Sequence, residues 1–357
     1  MQRRKSRQIR LGGLLVGGGA PISVQSMTNT KTHETAATIA QINALAAAGC
    51  DIVRVAVPDE RAAAALPYIK QAIALPLIAD IHFDYRLALS ALDAGADGLR
   101  INPGNIGAEA NVRRVADKAK TRGAPIRIGV NAGSLPADIL RKYERPCPEA
   151  LLEAALRNAA LLEGWGFTDI KLSLKAHDAP LTINAYKLAA EATDYPLHIG
   201  ITEAGTPRSG LIKSAVGIGA LLSMGIGDTL RVSLTGDPVE EAKAGREILK
   251  ALGLRPYGPT VIACPTCGRT EIDLEKLALR VEDELAGVKD TITVAVMGCV
   301  VNGPGEAREA DVGIAGGKGA GLLFKKGRVL RKVPEAVLFD ELLKEINDIL
   351  RERAKKQ

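Results

Sequence analysis

An alternation of short β-branched runs and Ala/Leu-rich stretches fills the first two thirds of the chain. Each run reads as a strand, and helical stretches such as 35–49 and 148–166 lie between them. The predicted strands are 21–27, 51–57, 76–83, 98–102, 125–131, 169–175, 196–202 and 229–234. Eight strand–helix units in about 250 residues are typical of a (β/α)8 or TIM barrel. An open doubly wound sheet is the alternative, but eight alternations favour closure.

A break in this pattern follows the eighth predicted helix, at 238–253. The segment GLRPYGP (253–259) holds two glycines and two prolines, so we predict a domain boundary there, between 1–253 and 259–357. The second part predicts a strand leading into CPTC, a helix near 271–285, a strand at 291–298 and a C-terminal helix near 334–355. This order favours a small α+β domain.

Charge and cysteine content limit the classes of function. The net charge is +6 and the pI about 9.0, but the basic residues are dispersed and aromatic residues make up only 3%. Nucleic-acid binding is therefore disfavoured, and an anionic small substrate or a plain solubility charge explains the excess. Five irregularly spaced cysteines predict a reduced, cytoplasmic protein without a disulfide framework. We expect no membrane span and no secretory signal.

Polar side chains cluster near the ends of the predicted strands, where barrels of this type carry their active sites. The set is Arg54, Asp80, His82, Arg100, Asn102, Arg127, Asn131, Lys171, Ser173, Lys175, His198, Thr202, Glu203, Arg231 and Ser233. One such residue could be a solvated strand end, but several interior cations together need a counter-charge. A diphosphate fits, because Arg binds phosphate oxygens in a bidentate manner and Lys as a point charge. Asp80 and Glu203 are expected to be isolated acids in this cationic field, and Glu203 is a candidate proton donor.

Three of the five cysteines lie in two short motifs, CPTC (264–267) and GCVVNGPGEA (298–307). A structural zinc site takes four Cys or Cys and His ligands, but no histidine follows His198. A redox thiol pair would leave Cys299 without a role. An iron–sulfur cluster fits three cysteines better, with Glu306 after the NGPG turn as the fourth ligand and Glu309 as its rival.

Seven motifs resemble the 4-hydroxy-3-methylbut-2-enyl diphosphate synthases along nearly the whole chain. They are PISVQSMTNT (21–30), INPGN (101–105), KLSLKAHD (171–178), LHIGITEAG (197–205), GDTLRVSL (227–234), IACPTCGR (262–269) and GCVVNGPGEA (298–307). The last two are highly specific. These synthases are iron–sulfur enzymes of the methylerythritol phosphate route to isoprenoids, and the chain is similar to their two-domain bacterial form.

The resemblance implies a reaction, a cofactor and partners. The family reductively opens 2-C-methyl-D-erythritol 2,4-cyclodiphosphate with two electrons from flavodoxin or ferredoxin. It works as a head-to-tail homodimer in which one subunit's cluster domain caps the other's barrel. Its 4Fe–4S cluster ligands match Cys264, Cys267, Cys299 and Glu306. Its diphosphate-binding residues match Arg54, Arg100, Arg127 and Lys175, with Asn131, His198, Arg231 and Ser233 beside them, and its acid matches Glu203.

Two other classes of function stay open on the sequence. One is a non-redox barrel transferase acting on a diphosphate ester, similar to pteroate synthases, with a purely structural metal. The other is a nucleic-acid-binding module organised by zinc. Iron and sulfide content separates both from the synthase.

Overall fold

The computed structural model describes residues 2–102, 105–299 and 307–355. The chain divides into two compact units, Met1–Arg255 and Pro256–Gln357. Across the described residues, no helix has the length and apolar character needed to cross a membrane.

The first unit begins with a small antiparallel hairpin that the sequence patterns did not predict. Its strands are β1 (Ile9–Leu11) and β2 (Leu14–Val16). Ile9, Leu11 and Val16 are buried against Ile52 and Ile78 from the barrel wall. A Cβ atom on Gly98 would lie 2.6 Å from the Leu11 Cδ1 atom, so this glycine makes room for the hairpin. The hairpin therefore packs across one end of the barrel and closes its floor.

Eight parallel strands form the barrel wall, which confirms the predicted fold class. They are β3 (Ser23–Met27), β4 (Ile52–Ala56), β5 (Leu77–Asp80), β6 (Gly98–Ile101), β7 (Ile126–Asn131), β8 (Ile170–Lys175), β9 (His198–Ile199) and β10 (Thr229–Leu230). The wall runs in the order β8-β7-β6-β5-β4-β3-β10-β9. A parallel bridge between Leu172 and Leu197 joins β8 to the residue before β9 and closes the ring. The last two strands are shorter than predicted.

Helices cover the outside of the barrel. They are α1 (Thr35–Ala47), α2 (Glu60–Ala72), α3 (Tyr85–Asp93), α4 (Glu109–Arg122), α5 (Ala137–Tyr143), α6 (Pro148–Glu163), α7 (Ala179–Ala192), α8 (Pro207–Ser223) and α9 (Pro238–Ala251). Aspartates begin four of them, because the carboxylates of Asp59, Asp84, Asp178 and Asp237 accept otherwise unpaired backbone N–H groups. These caps fix where each helix leaves the wall and so position the connecting loops.

The basic N-terminal segment is tied to the barrel by specific contacts. Arg3 Nη2 and Ser6 Oγ donate to Asp228 Oδ1 at 3.2 and 2.9 Å. Arg4 donates to the carbonyls of Ala190 and Tyr195 at 3.1 Å. The basic start of the chain is thus part of the fold.

Over its described residues, the second unit is a mixed five-stranded sheet with two α-helices, which confirms the predicted α+β domain. Its elements are β11 (Thr260–Ala263), α10 (Leu274–Leu285), β12 (Thr293–Met297), β13 (Val312–Ala315), β14 (Ala320–Lys325), β15 (Arg328–Pro334) and α11 (Leu338–Ala354). The strands lie in chain order, the first three parallel and the last two antiparallel. Apolar residues of α10 and α11 pack on this sheet.

Candidate active site

Five basic side chains are buried on neighbouring strands of the barrel wall. Arg54, Arg100 and Arg127 come from β4, β6 and β7, and Lys171 and Lys175 come from β8; each is at most 9% exposed. Arg100, Arg127 and Lys171 are register partners, so they form one row across three strands. The structure therefore brings together residues that lie far apart in the sequence.

Asp80 lies at the centre of this basic group. One carboxylate oxygen is 3.2 Å from Arg100 Nη1, and the other is 3.6 Å from Arg54 Nε and 3.5 Å from His82 Nε2. Burial alone would raise the pKa of Asp80, but Arg54, His82 and Arg100 outweigh it and hold that pKa well below its usual range. The register of β5 and β6 places Asp80 beside Arg100, so this acid lies in the cationic surroundings that the sequence predicted.

Burial disfavours the charged form of the other basic side chains. Desolvation and neighbouring cations lower the pKa of Arg54 to about 10 and that of Lys171 to about 7. For the same reasons the pKa values of Arg127 and Lys175 fall well below their usual range. Buried charges are stable only with a partner, and within the described residues Arg100 Nε and Arg127 Nε have none. The wall is therefore suited to an anion.

Two glycines make room for these long side chains. A Cβ atom on Gly129 would lie 2.6 Å from Arg100 Nε. A Cβ atom on Gly200 would lie 2.8 Å from Lys175 Nζ, and Gly200 has a φ of +153°. A side chain at either position would push the neighbouring cation away.

His198, on β9, is fully buried and uncharged. Its Nδ1 atom lies 2.8 Å from Thr229 Oγ1, and its Nε2 atom has no partner among the described residues. Burial, followed by Lys175 and Arg127, lowers the pKa of this imidazole well below its usual value. A neutral ring that accepts from Thr229 can donate through Nε2.

Arg231 is held by a carboxylate that the sequence analysis missed. Arg231 Nε and Nη2 donate to the two oxygens of Glu241 at 3.0 Å each. Glu241 also accepts from Ser26 Oγ at 2.8 Å and from the Leu234 N–H at 3.0 Å. The sequence feature that could have identified Glu241 is its position on α9, on the same buried face as Pro238, Ala242 and Leu249.

Three predicted site residues lie beyond the ends of the strands or at their last position; Asn131 and Ser233 are half-buried, and Glu203 is exposed. Asn131 ends β7 beside Lys175, and Ser233 follows β10. Glu203 follows β9 with a φ of +51°, one of three non-glycine residues at positive φ in the described chain. Left-handed backbone at a glutamate is strained, and such strain is concentrated at functional sites.

The three cysteines of the second unit lie at one edge of its sheet. Cys264 follows β11, and Cys299 follows the adjacent parallel strand β12. The Gly298 N–H donates to Cys264 Sγ at 3.2 Å, and the Gly298 carbonyl accepts from the Glu271 N–H at 3.0 Å. These bonds connect the loop carrying Cys264 and Cys267 to the residue before Cys299.

The donor chemistry of this edge fits a thiolate-bound metal group. Cys264, Cys267 and Cys299 are free of disulfides, and the backbone N–H of Arg269 lowers the pKa of Cys267. Within the described residues no three His, Cys, Asp or Glu side chains are arranged as a closed metal site. Glu306, the predicted fourth ligand, lies outside the described residues.

Family models cover both units. The GcpE TIM-barrel domain matches residues 6–246, and the GcpE protein C-terminal domain matches residues 260–348. The chain belongs to the GcpE family. The two GcpE domains coincide with the barrel and with the sheet that carries the cysteines.

Relatives of this GcpE chain share one name, 4-hydroxy-3-methylbut-2-en-1-yl diphosphate synthase (flavodoxin). The protein of Caldanaerobacter subterraneus subsp. tengcongensis is 60% identical over 98% of this chain and 99% of its own length. That of Geobacter sulfurreducens is 62% identical over 98% and 99%. That of Geobacillus thermodenitrificans is 58% identical over 100% and 96%.

Solved structures resemble the barrel of this GcpE chain at much lower identity. Dihydropteroate synthase from Xanthomonas albilineans has a TM-score of 0.51 and 15% identity, over 70% of this chain and 98% of its own. The N-acetylneuraminic acid synthetase of Leptospira borgpetersenii has a TM-score of 0.50 and 11% identity, over 80% and 99%. At these identities the likeness concerns the barrel fold alone.

Proposed function

We propose that this chain is a 4-hydroxy-3-methylbut-2-en-1-yl diphosphate synthase. It opens the ring of 2-C-methyl-D-erythritol 2,4-cyclodiphosphate reductively, with electrons from flavodoxin, and releases water. The observation that carries the proposal is identity of about 60% to synthases of this name over nearly the full length of both chains. The chemistry of the barrel interior, a buried cationic wall, supports it independently.

The barrel residues bind the substrate through its phosphoryl groups. Arg54, Arg100 and Arg127 supply positive charge that Asp80 only partly neutralises, and Lys175 is a further basic group that an anion would favour in its charged form. His198 Nε2 is an uncharged donor, so it can bind a phosphoryl oxygen without adding charge. Asn131, Arg231 and Ser233 complete the site at the strand ends. Two phosphoryl groups held by several donors fix the ring in a single orientation.

Glu203 supplies the proton that the reaction consumes. It is exposed on the loop after β9, close in sequence to His198, and its backbone is left-handed. An acid at a strained backbone position, on the loop that follows a strand of the cationic site, has the properties of a positioned general acid.

An iron–sulfur cluster is the cofactor that the cysteine edge fits. We assign it as 4Fe–4S, held by Cys264, Cys267, Cys299 and Glu306. When bound, such a cluster supplies electrons one at a time. The chain's own part is to hold the thiolates, and the Gly298 N–H donates to the sulfur of Cys264. Such N–H···S bonds stabilise the thiolate form and shift the reduction potential.

The partners follow from the same reaction. Flavodoxin, which forms part of the relatives' names, is the proposed electron donor, with ferredoxin as the alternative. The head-to-tail homodimer and the cytoplasmic location stay predictions.

Anaerobic purification followed by iron, sulfide and zinc analysis tests the cofactor. We expect a brown protein with about four irons and four sulfides per chain, as in a 4Fe–4S cluster. The same preparation, with reduced flavodoxin and the cyclic diphosphate, should form the linear diphosphate product. A colourless zinc protein without this activity would instead favour a barrel transferase with a structural metal.

A further inference from the structure

Lys171 is a buried lysine that the proposed reaction leaves without a role. It lies on β8, on the same strand face as Ser173 and Lys175, and is 3% exposed. Its register partner on β7 is Arg127. Among the residues that the structure describes, no hydrogen bond or ion pair reaches its ammonium group.

Most of the titratable groups around Lys171 are basic, and they come from several strands of the barrel. They are Arg127 on β7, Arg54 on β4, the uncharged His198 on β9, Lys175 on the same face of its own strand and Asp228 before β10. Asp228 is the acid of this set, and it already accepts from Arg3 Nη2, Ser6 Oγ and the Leu197 N–H. A charged Lys171 would therefore be a buried cation among cations, without a counter-ion of its own.

We propose that Lys171 is a positioning residue that is partly uncharged in the free enzyme at neutral pH and takes up a proton when the cyclic diphosphate binds. The ammonium group then completes the cationic row with Arg100 and Arg127 and keeps the two arginines directed at the phosphoryl groups. This inference rests on the proposed function, since it takes the cyclic diphosphate as the ligand.

Proton uptake follows from the change in charge inside the barrel. In the free protein, burial first and then Arg127 lower the pKa of Lys171 to about 7. An anion in the barrel favours the charged form and raises that pKa again. Each phosphorus of the cyclic diphosphate carries a single, strongly acidic hydroxyl, so the ligand is a dianion throughout the neutral range. The proton therefore comes from solvent and ends on Lys171 Nζ.

Calorimetric titration of the cluster-loaded enzyme with the cyclic diphosphate tests the proposal. Paired buffers of different ionisation enthalpy count the protons taken up, at about pH 6 and about pH 8, on either side of the Lys171 pKa. We expect the wild type to take up more protons at the higher pH, by up to about one per chain. Lys171→Met should lose this difference and bind more weakly, about tenfold or more.

Two further variants separate charge from structure. Lys171→Arg keeps a permanent positive charge, so it should bind the ligand without the pH-dependent uptake. Lys187→Met, at an exposed position of α7, should keep the full wild-type difference. A merely structural role for Lys171 would leave the proton count of all four proteins unchanged.

The measurements distinguish a failure of the Lys171 proposal from a failure of the proposed function. Equal proton uptake at both pH values in the wild type, or a Lys171→Met protein that keeps the difference, overturns the role of Lys171 and leaves the synthase proposal standing. A wild type that does not bind the cyclic diphosphate overturns the proposed function and this inference with it. Should Lys171→Met fail to fold, lysine ¹³C NMR of the wild type and of Lys171→Arg decides. A lysine signal that titrates near neutral pH in the wild type, becomes protonated on binding and is missing from Lys171→Arg supports the proposal. The absence of such a signal from the wild type, or its persistence in Lys171→Arg, overturns the proposal.

Discussion

Glu203 is the residue whose backbone is most informative, because a glutamate at a φ of +51° is costly to maintain. If it is the proton donor, Glu203→Gln should retain binding of the cyclic diphosphate and lose turnover, by about 10²- to 10⁴-fold in kcat. Steady-state kinetics with reduced flavodoxin, together with calorimetric binding, measure both. Glu240→Gln, at an exposed position of α9, is the control. Unimpaired turnover of Glu203→Gln would remove Glu203 from the mechanism.

Glu241 is the carboxylate that pairs with Arg231, and its substitution tests how much this ion pair contributes to stability and to substrate binding. Glu241→Gln removes the charge of a buried carboxylate that accepts from Arg231, Ser26 and Leu234. We expect a loss of about 3 kcal/mol in the free energy of unfolding, as for a buried ion pair with one partner removed. KM should rise while kcat changes little, because Arg231 contributes to binding. Urea unfolding and steady-state kinetics, with Glu240→Gln as the control, measure the free energy of unfolding and KM. Equal values of both quantities in the two variants would contradict the proposed role of Glu241.

The identities of the site residues were predictable from the sequence, but their pairings were not. Strand ends rich in Arg and Lys predicted a cationic barrel, and Arg54, Arg100, Arg127, Lys171 and Lys175 are all buried in its wall. The bridging position of Asp80 depends on the register between β5 and β6, and the contact of Glu241 depends on how α9 packs. Both are set by tertiary geometry that residue types do not record.

The strands of the barrel were all predictable, since each is a short β-branched run between helical stretches. The last two strands end early for local reasons. Gly200, at a φ of +153°, follows β9, and the Leu234 N–H donates to Glu241 instead of extending the ladder of β10. The floor hairpin was missed because β1 and β2 have only three residues each, too short for a periodic pattern.

Gly129 on β7 leaves space for the Arg100 side chain, and an alanine at this position tests whether substrate binding needs that space. Gly129→Ala adds a Cβ atom 2.6 Å from Arg100 Nε, so the guanidinium must move. We expect the protein to fold and to bind the cyclic diphosphate about tenfold more weakly, the loss of roughly one charge-assisted contact. Gly219→Ala, where an added Cβ meets nothing within 4 Å, is the matched control. Wild-type affinity of Gly129→Ala would show that Arg100 does not hold the ligand.

The predicted head-to-tail homodimer can be tested by combining two inactive variants. In a head-to-tail arrangement each active site takes its barrel from one subunit and its cysteines from the other. Glu203→Gln and Cys264→Ser are each expected to be inactive. Subunits of the two variants, unfolded and refolded together with cluster reconstitution, should regain part of the activity, since a mixed dimer has one intact site. No recovery beyond the separate variants, although mixed dimers are present, would place each site within one subunit.

The pH dependence of stability is a property of the whole fold that Lys171 should affect. Its folded pKa of about 7 is below the ordinary lysine pKa of 10.5, so above neutral pH the unfolded chain binds more protons than the native one. Stability should then rise with pH between about 7 and 10.5, by at most about 1.4 kcal/mol per pH unit for this group. Urea unfolding at several pH values should show a smaller slope in Lys171→Met. An unchanged slope would contradict the lowered pKa.

The floor hairpin also bears on the route by which protons reach the interior of the barrel. Leu11 and Val16 pack against Ile52 and Ile78, so among the described residues this end of the barrel is filled with apolar side chains. Close apolar packing leaves little room for water or an anion. We therefore expect the substrate, and the solvent proton bound for Lys171, to arrive from the opposite end, where the strands end.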